Sequence, residues 1–224
     1  MNGSYISPVK INLTLRVLSR RPDGYHEIIS LFWKKKGIEG LTIQPHGNEN
    51  IGDILDVRGM EISGENILFR ALKWARNRSP IIPPLRMRLT KEFPAGSGIG
   101  AGSGNAAALL MHLKAYYGLD IENGSLSAVG ADIPFLAGDA GLAMVEGLGE
   151  KIRPQSPLKG LRWIIGFPYW RSDTSAAYRG IDDLRREARV SLCPEEYETE
   201  AFEILRKLRA GQAAGLLPND FLEV

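Results

Sequence analysis

The most informative segment of this chain is Pro94-Ala95-Gly96-Ser97-Gly98-Ile99-Gly100-Ala101-Gly102-Ser103-Gly104. Because glycine has no Cβ, such a loop can turn sharply and bring successive backbone N–H groups close to one anion. Apolar residues at helical spacing follow as far as Tyr117, and Gly118 is a typical helix stop. A helix that begins at the loop directs the positive end of its dipole at the same anion. The stretch therefore predicts a phosphate-binding loop.

A strand is predicted directly before the loop, over Leu85–Thr90, where apolar and basic side chains alternate. The alternative is a flexible glycine linker, but linkers are not normally bracketed by a clear strand and a clear helix. No lysine follows the last glycine, which excludes the Walker pattern, and the dinucleotide-binding pattern lacks an acidic residue on a following strand. The order strand, glycine loop, helix predicts a phosphate-binding loop that is neither a Walker loop nor a dinucleotide-binding loop.

The loop resembles the second motif of the GHMP kinases, the family named for galactokinase, homoserine kinase, mevalonate kinase and phosphomevalonate kinase. Four further segments resemble family members that act on a cytidylylated alcohol. They are Ser7-Pro8-Val9-Lys10-Ile11-Asn12-Leu13, Arg20-Arg21-Pro22-Asp23-Gly24-Tyr25-His26-Glu27, Gly130-Ala131-Asp132-Ile133-Pro134-Phe135 and Glu146-Gly147-Leu148-Gly149-Glu150. Together the matches run from the first residues to about Asp220. One position departs from the family, which usually has a second serine where this chain has Gly104.

The order of predicted elements indicates an α+β fold. Strands are expected over Val9–Leu18, Tyr25–Phe32, Leu41–Pro45, Leu85–Thr90, Leu142–Glu146 and Arg162–Phe167, and helices over Glu65–Arg78, Thr174–Ala188 and Glu195–Ala210. The resemblance implies a ribosomal-protein-S5-domain-2-like N-terminal domain over residues 1–153, which binds ATP. It also implies a ferredoxin-like C-terminal GHMP domain over residues 154–224, with the active site in the cleft between the two. The family continues beyond the capped helix start at Asn219, so this second domain is expected to be incomplete.

Composition bounds the class of protein. The 224 residues are 44% hydrophobic, enough to bury one large core or two smaller ones. No apolar run reaches about 18 residues and the N-terminus lacks a signal-peptide core, which predicts a cytoplasmic protein that contacts no membrane. A net charge of +2 with dispersed basic residues gives no reason to expect nucleic-acid binding, and Lys34-Lys35-Lys36 is interpreted as a solvated turn. The single cysteine, Cys193, cannot form an internal disulfide.

Lys10 and Asn12 share one face of a predicted strand, because apolar and polar residues alternate from Val9 to Val17. Periodicity alone makes Lys10 a solvated surface residue. The resemblance reverses that interpretation, because this segment keeps the family's Pro-x-Lys-x-Asn pattern, whose lysine lies beside the phosphoryl-acceptor hydroxyl. Lys10 is therefore predicted to be catalytic and Asn12 to bind the substrate.

Asp132 is the second predicted catalytic residue. From the sequence alone an aspartate before Ile133-Pro134 is most often a cap, and the proline is expected to hold the local backbone extended. The resemblance places this aspartate within reach of the acceptor hydroxyl and of Lys10, whose charge favours the ionised carboxylate. It could take a proton or simply orient the hydroxyl. With the glycine loop and Mg²⁺, the pair supplies the positioning and charge neutralisation that phosphoryl transfer needs.

The remaining nucleotide contacts are predicted around the loop. Asn66 lies at a helix start and is either the N-terminal cap or an adenine contact. Lys91 resembles a position that lies near the nucleotide in relatives. Ser103 is expected to cap the helix and to face a phosphate or Mg²⁺. Gly104 removes the neighbouring hydroxyl, which puts metal affinity in doubt if the second serine normally helps hold the ion. Asn66, Lys91 and Pro94–Gly104 make up the predicted ATP site.

Tyr25 and His26 open the strand that follows the turn at Pro22–Gly24. Such a pair is more often packing plus a surface imidazole, yet a tyrosine face can stack on a base while a histidine backbone or ring bonds to its edge. The resemblance favours the second interpretation. It places Tyr178 as a second aromatic on the opposite side of a cytosine, with Thr174 as a further substrate contact.

The resemblance implies ATP-dependent phosphorylation of the 2-hydroxyl of a cytidylylated methylerythritol, in the non-mevalonate route to isoprenoid precursors. The protein is expected to use ATP and Mg²⁺ and to be a monomer or a weak homodimer. Two alternatives stay open: a mevalonate- or homoserine-kinase-like GHMP enzyme, and a non-catalytic nucleotide-binding relative. Tyr25, His26 and Tyr178 discriminate against the first, because a substrate without a base needs no stacking pair. Lys10 and Asp132 argue against the second.

Overall fold

The computed structural model describes residues 1–46, 51–62, 64–122, 125–167, 174–188, 193–222 and 224, which form a mixed α/β fold. Two compact units are present: a first unit of Met1–Lys10 with Lys34–Asp139, and a second unit of Ile11–Trp33 with Ala140–Val224. Strands β1 (Gly3–Arg20) and β2 (His26–Pro45) pair with each other, and each contributes to both units. The division into sequential domains, 1–153 and 154–224, stays a prediction.

The sheet of the first unit is built around β4 (Leu85–Lys91), which has the predicted bounds to within one residue. β4 pairs antiparallel with the end of β2, Leu89 opposite Leu41, and parallel with β3 (Ile54–Gly59). The apolar side chains of β4 are buried, as the alternation predicts. β3 was not predicted, since its side chains are mostly exposed and carry little apolar alternation.

The described residues of the first unit also form three α-helices: α1 (Ile67–Arg76), α2 (Ala101–Tyr117) and α3 (Ile133–Ala137). α1 buries one apolar stripe, whereas α2 is buried along most of its length between α1 and α3. α2 ends at Gly118, whose φ of +62° is the left-handed conformation typical of a glycine stop. The predicted order of strand, glycine loop and helix is therefore confirmed.

Two local predictions in the first unit are wrong. Lys34-Lys35-Lys36 is not a solvated turn but part of β2, because Tyr25–Phe32 and Leu41–Pro45 belong to one continuous strand. Ile133-Pro134 is not extended but begins α3. Proline is tolerated in the first turn of a helix, where its missing N–H would have had no intrahelical acceptor.

The second unit contains two further strands, the adjoining parts of β1 and β2, and two helices. β5 (Leu142–Gly147) pairs antiparallel with the first part of β2, Ile28 opposite Gly147, and with β6 (Lys151–Pro154). The helices are α4 (Thr174–Ala188), which has the predicted bounds, and α5 (Pro194–Arg209). The main core of this unit consists of apolar side chains from strands, connector and α5: Leu13, Leu31, Trp33, Leu142, Leu158 and Leu205.

The strand predicted over Arg162–Phe167 is wrong, since residues 161–167 have no regular secondary structure. Trp163 packs against the core of the second unit, but Ile164 is fully exposed, so the apolar residues do not share one buried face. The helix start predicted at Asn219 is a single 3₁₀ turn over Asp220–Leu222. Among the described helices, none combines the length and the apolar character that crossing a bilayer requires.

Candidate active site

The glycine loop holds three residues in the left-handed region: Gly96, Gly98 and Gly100, with φ of +75°, +74° and +67°. A Cβ added at Gly96 or Gly98 would meet no atom within 4 Å. A Cβ at Gly100 would lie 3.1 Å from Asp132 Oδ2 and 3.2 Å from Lys10 Cγ. The loop is therefore open at its tip and packed against two side chains at its end, where no side chain caps the first turn of α2.

Lys10 and Asp132 are brought together at this packed end of the loop. Lys10 Nζ lies 3.8 Å from Asp132 Oδ1, and the two side chains are 10% and 26% exposed. The backbone N–H of Lys10 donates to Ile99 O at 2.9 Å, which ties β1 to the loop. Asp132 occupies the N-cap position of α3 but makes no capping bond with its side chain, so the simple cap interpretation fails. Its carboxylate faces Lys10 instead.

Lys34 holds the opposite end of α3. Its Nζ donates to the carbonyl oxygens of Phe135, at 3.1 Å, and of Gly138, and lies 5.3 Å from the centre of the Phe135 ring. Burial lowers the pKa of Lys34, an effect that the nearby charge of Asp139 opposes. A cation at a helix C-terminus is favourable, so this lysine of β2 fixes the short helix that carries Asp132.

A buried carboxylate, Glu39 of β2, links the two sides of the loop. It forms an ion pair with Lys91 at the end of β4, and it accepts hydrogen bonds from Phe93 N at 3.0 Å and from Asn105 Nδ2 at 2.7 Å. Both charged groups are buried, so loss of either one would leave an unpaired buried charge. The ammonium of Lys91 is therefore engaged inside the protein. Its contact with a nucleotide stays a prediction. Glu39 was missed, since one glutamate in a strand carries no motif.

Asn66 and Gly104 have packing roles in the structure. Asn66 Oδ1 accepts from Leu68 N at 3.0 Å and caps α1; a contact with adenine stays a prediction. A Cβ at Gly104 would collide with the backbone carbonyl oxygen of Pro8, so a serine does not fit here without a shift of α2 or β1. Gly104 thus allows close packing of helix on strand. Ser103, one residue earlier, is half-buried in the first turn of α2.

A second group of predicted residues lies in the second unit. The rings of His26 and Tyr178 stack, with centres 4.9 Å apart and planes at 13°, and His26 Nε2 donates to Asp182 Oδ1 at 2.8 Å. Tyr25 precedes them with 67% of its surface exposed, which leaves its ring available to a planar ligand. Asp182 was missed, although its place one helical turn after Tyr178 could have indicated it.

The two other predicted substrate residues lie in the same unit as His26. Asn12 Nδ2 donates to Ser30 Oγ at 2.8 Å, and this serine in turn donates to Thr14 O. Thr174 is the exposed first residue of α4. The structure therefore fixes the Asn12 side chain between β1 and β2.

Lys10, Asp132 and the glycine loop form the first group of predicted residues. Chemically, this group combines an ammonium, a carboxylate and a loop of backbone N–H donors. The ammonium of Lys10 can neutralise phosphoryl oxygens, and the carboxylate of Asp132 can orient a hydroxyl or accept its proton. The described residues contain no cluster of three or more His, Cys, Asp or Glu side chains suited to a metal ion. Mg²⁺ in phosphoryl-transfer sites is held largely by nucleotide phosphates and needs no such cluster.

Comparison with known proteins gives one family and consistent relatives. The model of the GHMP kinases N terminal domain matches residues 66–141, which include the loop and Asp132. A 4-diphosphocytidyl-2-C-methyl-D-erythritol kinase from Porphyromonas gingivalis is 32% identical over 223 residues, covering 96% of this chain and 76% of the relative. The enzyme of that name from Pseudothermotoga lettingae is 34% identical over 224 residues, with the same two coverages.

Solved structures agree with these relatives. A crystal structure of 4-(cytidine 5'-diphospho)-2C-methyl-D-erythritol kinase matches with a TM-score of 0.71 and 28% identity, over 99% of this chain and 76% of that chain. A mevalonate diphosphate decarboxylase from Legionella pneumophila matches with a TM-score of 0.60 at 14% identity, over 94% of this chain and 72% of that one. At that identity the second likeness concerns the fold alone.

Proposed function

This chain belongs to the 4-diphosphocytidyl-2-C-methyl-D-erythritol kinases of the GHMP family, and we propose from that membership which phosphoryl transfer it performs. It is a small-molecule kinase that transfers the γ-phosphoryl group of ATP to the 2-hydroxyl of 4-diphosphocytidyl-2-C-methyl-D-erythritol. The observation that carries this function is the approach of Lys10 Nζ to Asp132 Oδ1, 3.8 Å, at the end of the glycine loop. A loop for phosphates and a charged pair beside it are what phosphoryl transfer requires.

The protein residues act mainly by position and charge. The open tip of the loop, at Gly96 and Gly98, accepts the phosphates of ATP, and the uncapped N-terminus of α2 adds its dipole. Asp132 orients the acceptor hydroxyl and takes its proton as the new O–P bond forms and the bond from the γ-phosphorus to the bridging oxygen breaks. Lys10 stabilises the charge that spreads over the transferred group. Mg²⁺, when bound, neutralises phosphate charge, and Ser103 would hold it together with the phosphates.

The group in the second unit recognises the cytidine end of the acceptor. Tyr25 offers an exposed ring and Tyr178 a ring fixed by His26, and each can stack on a base. Asn12 and Thr174 supply polar contacts to the same substrate. A mevalonate- or homoserine-kinase-like function is less well supported, because neither acceptor has a base for these rings. A nucleotide-binding protein without catalysis would not need the pair of Lys10 and Asp132.

Further parts of the proposal follow from family membership. The proposal includes a ribosomal-protein-S5-domain-2-like domain over residues 1–153 and part of a ferredoxin-like GHMP domain over residues 154–224. The protein acts in the cytoplasm as a monomer or a weak homodimer.

The experiment that tests the function is a coupled ADP-release assay with ATP and Mg²⁺ and three acceptors: the cytidylylated methylerythritol, mevalonate and homoserine. The expected result is turnover with the first acceptor only. Turnover with mevalonate or homoserine alone would favour the related kinases. ATP binding without turnover of any acceptor would favour the non-catalytic alternative.

A further inference from the structure

The segment 218–222 packs against β1 within the second unit. Leu15 N donates to Pro218 O at 2.9 Å, and Leu15 and Asn219 form a parallel bridge. Asn219 Oδ1 accepts from Phe221 N at 3.1 Å, which leads the chain into the 3₁₀ turn over Asp220–Leu222. The segment is thereby fixed next to the strand that carries Arg16 and Val17.

Asp220 joins this segment to both β1 and α4. Its Oδ1 accepts from Arg16 Nη1 at 2.8 Å, and its Oδ2 accepts from Val17 N at 2.8 Å and from Arg185 Nη2 at 2.7 Å. Arg16 also donates two hydrogen bonds to Glu200 of α5, and these bonds are the main reason that its pKa is raised. A buried carboxylate with three charged or backbone donors is costly to release from any of them. Asp220 therefore holds α4 on β1.

Phe221 begins a continuous series of ring contacts. Its ring lies edge-on to Tyr178, with centres 5.0 Å apart and planes at 89°. The Tyr178 ring stacks on His26, whose other partner is Asp182 on the same helix. Edge-to-face and stacked pairs hold both the position and the tilt of a ring. The orientation of Tyr178 is thus set from two sides.

We propose that Asp220 and Phe221 are positioning residues for recognition of the cytidine end of the acceptor. Phe221 holds the Tyr178 ring, and Asp220 holds the helix that carries Tyr178 and Asp182. Each residue acts on the base through Tyr178 or the helix that carries it. A ring that is already oriented loses less conformational freedom on binding, so the contacts increase affinity for the base and not for ATP. The inference rests on the proposed function, which assigns His26 and Tyr178 to the base.

The kinetic test compares Phe221→Ala with a matched control, Leu222→Ala, in the adjacent residue, which is 65% exposed. The KM for the cytidylylated substrate is expected to rise about fivefold in Phe221→Ala, while the KM for ATP stays unchanged. Phe221→Tyr, which restores a ring, should recover most of the loss, and Leu222→Ala should behave as the original protein. Equal increases in both KM values would mean a general structural role and would overturn the proposal.

A second readout does not depend on turnover. The chain has only 3 histidines, so the ring protons of His26 can be assigned by NMR, and their shifts report the stacking on Tyr178. Phe221→Ala and Asp220→Asn should both move the His26 signals and leave those of His46 and His112 in place. Phe221→Leu gives the same comparison if the alanine variant does not fold.

The two readouts separate the possible failures. If the unmutated protein does not phosphorylate the cytidylylated acceptor, the proposed function is refuted. The NMR comparison would still report on the ring contacts in that case. Normal turnover together with unmoved His26 signals and unchanged KM values in the Phe221 variants would overturn the positioning role alone.

Discussion

Lys10 in the first unit and Tyr25 in the second unit are held in opposite ways. The Lys10 side chain is 10% exposed, lies 3.8 Å from a carboxylate and packs against Gly100. The Tyr25 residue is 67% exposed, and its neighbour His26 carries the ring contacts to Tyr178. Lys10 is packed next to a charged partner, whereas Tyr25 is an exposed ring whose neighbour His26 stacks on Tyr178.

The difference matches the task proposed for each group. Charge stabilisation of a phosphoryl group depends steeply on distance, so the lysine and the aspartate need a packed environment that fixes them. Stacking on a base depends mainly on an accessible ring face and tolerates small shifts. Variants of the first group should therefore change kcat, and variants of the second should change the KM of one substrate.

The largest effect is expected for Asp132→Asn. The amide keeps the shape but cannot accept the hydroxyl proton, so kcat should fall about 100-fold or more while ATP still binds. Lys10→Met should act similarly through lost charge stabilisation. The measurement is steady-state turnover together with ATP titration by calorimetry. Asp139→Asn, an exposed position just beyond the other end of α3, is the control and should keep normal turnover. Near-normal kcat in both site variants would show that this pair is not catalytic.

Gly100→Ala in the loop, compared with Gly118→Ala at the far end of α2, tests whether crowding around Lys10 matters. Gly118 and Gly100 share a positive φ, of +62° and +67°, so alanine strains the backbone comparably at both positions, and a Cβ at Gly118 would meet no atom within 4 Å. Only the Gly100→Ala methyl group reaches Asp132 and Lys10. Its kcat should fall roughly 30-fold, because small displacements of reacting groups are costly. Equal losses of kcat in the two variants would mean that strain alone, and not the contact, is responsible.

Gly104→Ala tests the close approach of α2 to β1. The methyl group would collide with Pro8 O, and such overpacking should lower the free energy of unfolding by about 2 kcal/mol in urea denaturation. Gly102→Ala is the matched control two residues earlier in the same helix. Its methyl group would lie 3.8 Å from Ile67 Cγ2, an ordinary contact, so it should leave stability unchanged or raise it. Two variants of equal stability would contradict the packing role of Gly104.

Tyr25→Ala tests the second group without disturbing its ring contacts, because the side chain is largely exposed. The KM for the cytidylylated substrate should rise roughly tenfold, and the KM for ATP should not change. Steady-state kinetics with each substrate varied in turn measures both values. An unchanged KM for the cytidylylated substrate would remove Tyr25 from the base-recognition group.

Several elements of the fold could be predicted from the sequence because their signals are local. The alternation in β4, the glycine loop, the α2 stop at Gly118 and the bounds of α4 depend on neighbouring residues only. The interpretation of Lys34 as solvated failed because a charged side chain in a strand can reach the carbonyl oxygens of a distant helix end. No local pattern reveals such an acceptor.

The supporting contacts of both groups were not predictable for the same reason. Glu39 meets Asn105 across 66 positions of the chain, His26 meets Asp182 across 156, and Arg16 meets Asp220 across 204. Each pair is made by tertiary packing, which local sequence patterns do not reveal. The strand predicted over Arg162–Phe167 is the opposite case. Its local pattern favours a strand, but these residues pair with no other strand in the described chain.

Phosphorylation of the cytidylylated methylerythritol at its 2-hydroxyl can be followed by ³¹P NMR of the reaction mixture, which identifies the bond that forms. With ATP, Mg²⁺ and this acceptor, a new phosphomonoester signal should appear while the diphosphate signals of the acceptor persist, and Asp132→Asn should yield almost none. A spectrum with no new phosphomonoester, or a parallel reaction in which mevalonate is phosphorylated equally well, would show that this chain is not specific for the cytidylylated acceptor.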